Sequence, residues 1–203
     1  SQIINPVTGE IHVKVDPSER ALLGEDHEGW EYYQFIRRIF GNDEAIMVAI
    51  DAEDVFSPPA IDLVRRLTDR LSAIDGVSKV VSIANALAIK STDYGMDIAP
   101  LMDKAPQTPE DYETLRNQAM ENPFIKNTLV AEGNQTTAII INLENMQNHT
   151  LLKQVNAAVE TIVAEEVNAA GVWITGMPRI MLATKEMVLD DLIKFPPLIT
   201  LVM

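Results

Sequence analysis

A chain of 203 residues, 47% hydrophobic and 23% charged, has enough apolar material for a packed core and the composition of neither a disordered nor a collagen-like sequence. Its 16 basic and 30 acidic residues leave a net charge of -14, which repels phosphate backbones, and the basic pairs Arg37-Arg38 and Arg65-Arg66 are isolated, so no nucleic acid is expected as a partner. With no cysteine, disulfides, thiolate catalysis and cysteine-ligated zinc or iron sites are ruled out.

The first residues, Ser1-Gln2-Ile3-Ile4-Asn5, lack the basic end and sustained apolar run of a signal peptide. No stretch approaches the ~18 apolar residues that cross a bilayer. Residues 11–15 alternate and predict a short strand. Trp30, Tyr33, Phe35, Ile36, Ile39 and Phe40 fall at helical spacings within 28–40, and Gly41 follows as a stop. A strand is expected at Ala45–Ile50. Ser57-Pro58-Pro59 then reads as a helix start, because serine can accept from orphan amides and proline at the first position loses no hydrogen bond. Ile61, Val64, Leu67, Leu71 and Ile74 form its apolar stripe, Asp75-Gly76 ends it, and Val77–Ile83 predicts the next strand.

Residues 85–126 are less regular, with Pro100, Pro106 and Pro109; Thr108-Pro109 opens an expected helix from Glu110 to Met120. Thr128–Glu132, Gly133-Asn134 and Thr136–Leu143 read as a hairpin. A long amphipathic helix is expected over 149–168, its inner side formed by Leu151, Leu152, Val155, Val159, Ile162, Val163 and Val167. Gly171 ends it, and Val172–Thr175 is a short strand. A last helix from about Pro178 to Lys194 leads into Phe195-Pro-Pro-Leu-Ile-Thr-Leu-Val-Met203, which fits either a buried terminal strand or the beginning of a membrane segment.

One unit occurs twice: strand, amphipathic helix, Gly-Val, strand. It runs from Ala45 to Ile83 and again from Ala138 to Thr175. Each is long enough for a crossover that makes its two strands parallel. Together they predict an α+β fold of the split βαβ, ferredoxin-like kind, with a core at about 44–84 and 135–176 and an insertion at about 85–126.

Chemistry-bearing candidates are sparse. His12, His27 and His149 lie in different predicted elements, without metal-ligand spacing. Asp51-Ala-Glu53-Asp54, at the carboxyl end of a strand, has the oxygen ligands of a hard-cation site but not the glycine and alternate spacing of a calcium loop. Acids ahead of a helix start that complement its dipole are the preferred reading. Asp190-Asp191 reads as a solvated helix face or the last charged turn before a membrane. Met177, Met181 and Met187 are expected in a core rather than on an adaptable apolar surface. Asn134-Gln-Thr136 and Asn148-His-Thr150 fit the glycosylation pattern, but a turn and a helix start explain both asparagines. No nucleophile elbow, P-loop or dinucleotide fingerprint occurs. No cofactor, metal or catalytic residue is therefore assigned, and an enzyme is not expected.

Phe40-Gly41-Asn42-Asp43-Glu44 before an apolar strand resembles the start of the porter domains of resistance-nodulation-division proteins, in the MMPL or predicted-exporter group related to Patched-like and hopanoid transporters. Further segments resemble that family in the same order. They are Leu67…Leu71…Ile74-Asp-Gly-Val77-Ser-Lys-Val80-Val-Ser82, Pro100-Leu101, Asn122-Pro123-Phe124, Leu129 to Ala138, Thr175-Gly176-Met-Pro178 and Asp191-Leu192. The resemblance implies the first extracytoplasmic loop of a proton-driven exporter in the bacterial inner membrane, on the periplasmic side, handling hydrophobic or lipid-like cargo. It implies as partners the membrane, the membrane helices and a second periplasmic loop of the same transporter, and it leaves room for a homo-oligomer. Phe195–Met203 would then begin the second membrane helix. The family's proton-relay residues lie in membrane helices outside this sequence, so no site residue carries over and the substrate contacts are unassigned. The rival reading is a soluble ligand-binding or regulatory module, since the same βαβ pair serves many such proteins.

Overall fold

Alternation along Ala45–Asp51 sets the first strand (β1), with Ile46, Val48 and Ile50 buried and Met47 and Asp51 exposed. The computed structural model describes residues 45–92, 95–102, 104–144, 148–167 and 171–188. The chain forms two compact units, one spanning 42–178 and the other combining 1–41 with 179–203. The predicted strand at 11–15, the helix at 28–40, the Phe40–Glu44 segment, Asp190-Asp191 and the run Phe195–Met203 lie outside the described residues.

In the 42–178 unit, helix α1 (Pro58–Ser72) follows β1. Ile61, Val64, Leu67 and Leu71 are buried as the stripe predicts, with Thr68 among them; the helix stops short of Ile74. Gly76 has φ +90°, and a Cβ there would lie 2.8 Å from Leu151 Cδ1, so its lack of a side chain lets the chain turn tightly into β2 (Val77–Val81). Strand β2 is shorter than the expected Val77–Ile83, because Ser82 begins a turn in which its N–H donates to Asn85 Oδ1.

A second sheet was not expected: β3 (Leu87–Thr92) and β4 (Gly95–Pro100) form an antiparallel hairpin. Helix α2 (Pro109–Glu121) follows, and then β5 (Thr136–Leu143). Gly133 and Asn134, both at positive φ, turn the chain into β5; on the arm before them Val130 bridges Thr137, the Ala131 amide donates to the Thr136 carbonyl and the Ala138 amide to the Leu129 carbonyl, short of a full strand. Helix α3 (His149–Glu166) and strand β6 (Val172–Thr175) complete the unit. A further helix begins at 177 and continues to 188. Among the described residues no helix is long and apolar enough to cross a membrane.

The main sheet has the order β2-β5-β1-β6, with β1 antiparallel to both β5 and β6 and β5 antiparallel to β2. It follows that β1 and β2, joined through α1, run parallel with β5 between them. Likewise β5 and β6, joined through α3, run parallel with β1 between them. The fold is α+β, and these strand directions are those of a split βαβ arrangement. Helix α1 packs on β2, β5 and α3. Buried residues of α3, namely Leu152, Val155, Val159 and Val163, join those of α1 and the inward residues Ile46, Val48, Ile50, Ile139, Ile141 and Leu143 of the sheet as the unit's core. Each such side chain contributes about 1.5–3 kcal/mol by leaving water. The two helices are also tied at their surface, where Arg70 reaches Glu165 and Glu166 (2.5 and 2.9 Å) and Arg66 reaches Glu166 (3.1 Å).

Candidate functional site

The carboxylates at the end of β1 do not converge. Asp51 accepts a hydrogen bond from the Thr136 hydroxyl at 2.7 Å, and Glu53 is exposed. Asp54 is engaged twice: Oδ1 accepts from the Phe56 amide at 3.0 Å, and Oδ2 from Arg116 Nη2 at 2.6 Å. Among the described residues no three histidine, aspartate or glutamate side chains are placed to hold a metal ion.

The expected helix start is corrected in its mechanism. Ser57 is the N-cap residue of α1, but its side chain caps nothing, because its hydroxyl donates to the Asp54 carbonyl at 2.8 Å. No acid lies in the first turn itself; Asp51, Glu53 and Asp54 stand ahead of it in the chain. Asp54 also fastens α2 to the β1–α1 turn. The guanidinium of Arg116 also lies over the Phe56 ring, 5.5 Å from its centroid, so an ion pair and a cation–π contact act on one side chain.

Thr108 caps α2 as the Thr-Pro pair suggests, and Asp111 completes a capping box. One oxygen of Asp111 accepts from the amides of Gln107 (3.0 Å) and Thr108 (2.9 Å), and these bonds hold its carboxyl below the usual range. Beside this capped end, Leu101, Met102, residues 104–108 and the first turns of α2 line an open groove of about 530 Å³. Leu101 and Leu115 are buried in its floor, while Lys104, Asp111, Thr114 and Gln118 stand among its polar lining. An apolar floor with a few polar groups suits a small amphipathic molecule, and among the described lining residues no nucleophile is paired with a base. Sequence reasoning missed this groove. All its lining residues fall between Leu101 and Gln118, a stretch whose first part carries proline but no apolar periodicity.

His149 opens α3, and His12 and His27 lie outside the described residues. Asn148 caps α3, its side chain accepting from the Leu151 amide at 3.1 Å, and Asn134 sits at φ 59°; both asparagines have the local roles expected of them. Of the isolated basic pair, Arg65 lies 3.5 Å from Asp62 and Arg66 is spent on Glu166. The core role expected of the methionines fails at Met177 and Met187, which are exposed together with Ile180. Positions 177, 180, 184 and 187 share one side of a helix, and a stripe at that spacing has the same sequence whether it faces a core or solvent.

The face of the main sheet away from α1 and α3 was also missed. Alternation places Met47, Ala49, Ala138, Ile140 and Trp173 on it, and Trp173, directly opposite Ala49, is 53% exposed. An exposed tryptophan on a sheet gives a usable binding anchor and no chemistry of its own.

No known family model matches this chain, and no curated protein sequence matches it.

Proposed function

We propose that this chain is the porter-type extracytoplasmic domain of a resistance-nodulation-division exporter, taking part in the binding or passage of a hydrophobic or lipid-like substrate. The observation that carries the reading is the interleaving of the two βαβ units. The segments that resemble the family occupy its joints: Asp75-Gly76-Val77 is the passage from α1 to β2, and Thr175-Gly176-Met-Pro178 leads from β6 into the next helix. In such a transporter the domain sits on the periplasmic side of the inner membrane. It works beside a second loop and the membrane helices, with no cofactor or catalytic residue of its own. An apolar-floored groove next to α2 is in keeping with handling of amphipathic cargo.

The groove also favours the rival reading, a ligand-binding or regulatory module, since such modules need only a pocket. Two measurements separate them. The coding sequence around residues 1–203 is expected to encode about 20 apolar residues on each side. Deleting residues 42–178 from the encoded protein is expected to abolish export of its cargo. Export that continues undiminished after the deletion overturns the transporter reading.

A further inference from the structure

The groove beside α2 differs in charge from the chain around it. The whole sequence carries 16 basic and 30 acidic residues, but the groove's lining holds one of each, Lys104 and Asp111. The two share the groove without forming an ion pair with each other. Asp111 is committed through one oxygen only. Its Oδ2 accepts from the amides of Gln107 and Thr108, which favours the ionised carboxylate, while Oδ1 accepts from no group among the described residues. The Lys104 ammonium likewise meets no acceptor among them.

Both charged residues are exposed, whereas Leu101 and Leu115 in the floor are buried. An apolar floor below two separate, opposite and uncommitted charges defines the chemistry that fits. Gln107 and Gln118 also line the groove, but a carboxamide donates or accepts equally and does not decide the sign of a ligand. Met102, half-buried in the lining, is a flexible apolar side chain that adapts to the shape of what lies against it. The volume of about 530 Å³ falls within the usual range of small-molecule sites.

We infer that the groove binds a small zwitterionic amphiphile. Its apolar part lies on Leu101 and Leu115, its anionic group meets Lys104 and its cationic group meets Asp111 Oδ1. Charge selects this class over its neighbours. A simple anion meets Asp111 as well as Lys104, and it approaches against the chain's net charge of -14. A simple cation meets Lys104 as well as Asp111, and the other exposed acids of the chain compete for it. A neutral amphiphile takes water from both charges and gives neither a partner, which costs free energy. A zwitterion supplies a partner to each and has no net charge for the field to repel. A free apolar amino acid and the headgroup end of a zwitterionic lipid share this chemistry. The inference rests on the groove's being a binding site, as proposed above, and not on export.

The test is titration of the 203-residue chain, followed by backbone amide shifts, with probes that share an eight-carbon tail. Octyl phosphocholine, octyl sulfate and octyltrimethylammonium are each used below their micelle concentrations. Octyl phosphocholine is expected to bind with a Kd of about 1 mM or below, with shifts centred on residues 101–118. Its advantage over either singly charged probe is expected to be about threefold to fivefold, the scale of one exposed ion pair. Lys104→Gln, an exposed change that leaves the cap of α2 intact, is expected to weaken octyl phosphocholine by that factor and to strengthen octyltrimethylammonium. Mere loosening of the groove would weaken both. Leucine separates the two sources: shifts at the same amides support an amino acid as the natural ligand, and their absence supports a lipid headgroup. No binding of octyl phosphocholine up to about 10 mM overturns the inference. So do equal or tighter binding of a singly charged probe, shifts centred elsewhere, and an order of affinities that Lys104→Gln leaves unchanged. Binding as expected, beside export that survives deletion of residues 42–178, would overturn the transport reading and leave this one standing.

Discussion

The backbone carbonyl of Ala45, at the start of β1, occupies the space that a side chain at Gly176 would need. Gly176 lies just past the end of β6 at φ +126°, and the Cα of Ile46 is only 3.1 Å from the same point. Both obstacles are backbone, so neither can swing aside as a flexible side chain would. Replacement by alanine therefore meets an unfavourable φ and an immovable clash together. Gly176→Ala is expected to cost about 2–4 kcal/mol, and chemical denaturation should read this as a lower midpoint with an unchanged slope. Gly133→Ala is the comparison: it shares a positive φ (96°) but has open space around its Cβ direction, so it is expected to cost only about 1 kcal/mol.

The hold of the β1–α1 turn on α2 rests largely on Arg116. Its ion pair with Asp54 is short at 2.6 Å, and both side chains are roughly a third exposed, so solvent weakens the attraction without removing it. Arg116→Met keeps much of the contact with Phe56 and removes the charge. Amide exchange along α2 is expected to quicken by about fivefold to tenfold, while the buried strands β1 and β5 keep their protection. The same opening is expected in the native chain at high salt, since screening acts on an exposed pair. Equal loss of protection in α2 and in the central strands would show that Arg116 supports the whole fold rather than this attachment.

The main sheet was legible because its signals are local and repeated. Alternation marked β1, stripes marked α1 and α3, and Gly76 and Gly171 marked the breaks after them. Two units of the same kind leave few topologies, and the observed order follows from interleaving them. The β3–β4 hairpin was not legible. Leu87–Thr92 and Gly95–Pro100 are short, carry glycine and proline at their ends, and are held chiefly by each other, so neither has a pattern that stands alone. The second role of the helix-start acids was hidden for a related reason. Asp54 stands just ahead of α1 in the sequence, but its pairing with Arg116, 62 residues away, has no local signal. The groove, although lined only by residues between Leu101 and Gln118, has no sequence period to mark it.

The bonds between α1 and α3 predict a pH dependence. Glu166 accepts from Arg70 first and Arg66 second, and these bonds hold its carboxyl below the ordinary range. A carboxylate whose folded pKa is depressed stabilises the fold above its unfolded value, about 4.3, and loses that contribution as pH falls through the folded value. Glu166→Gln is therefore expected to be less stable than the native chain at pH 7, with the two converging as the pH falls through the depressed folded value. Unfolding midpoints of both proteins across that range check it. A difference that persists undiminished at low pH would mean that the glutamate acts by packing rather than by charge.

A buried hydroxyl relay between α1 and the turn after β2 gives the last prediction. Thr68 Oγ1 lies 2.6 Å from the Val64 carbonyl and 2.7 Å from Ser82 Oγ, and the Ala84 amide donates to Ser82 Oγ at 3.1 Å. Thr68 has one hydroxyl proton, and the Val64 carbonyl can only accept, so that proton goes to Val64. Ser82 must then donate to Thr68, and the chain runs in one direction: Ala84 amide, Ser82, Thr68, Val64. Both hydroxyls are almost wholly buried, so neither has water as a substitute partner. Thr68→Val keeps the shape but strands the Ser82 hydroxyl without an acceptor, at an expected cost of about 1–3 kcal/mol. Ser82→Ala costs less on the helix side, because Thr68 retains its bond to Val64, but it orphans the Ala84 amide. Adding Ser82→Ala to Thr68→Val removes the stranded hydroxyl, so the double variant is expected to be more stable than the sum of the single costs by about 1 kcal/mol. Strict additivity in a denaturant double-mutant cycle would mean that the two hydroxyls do not depend on each other and that the relay runs differently.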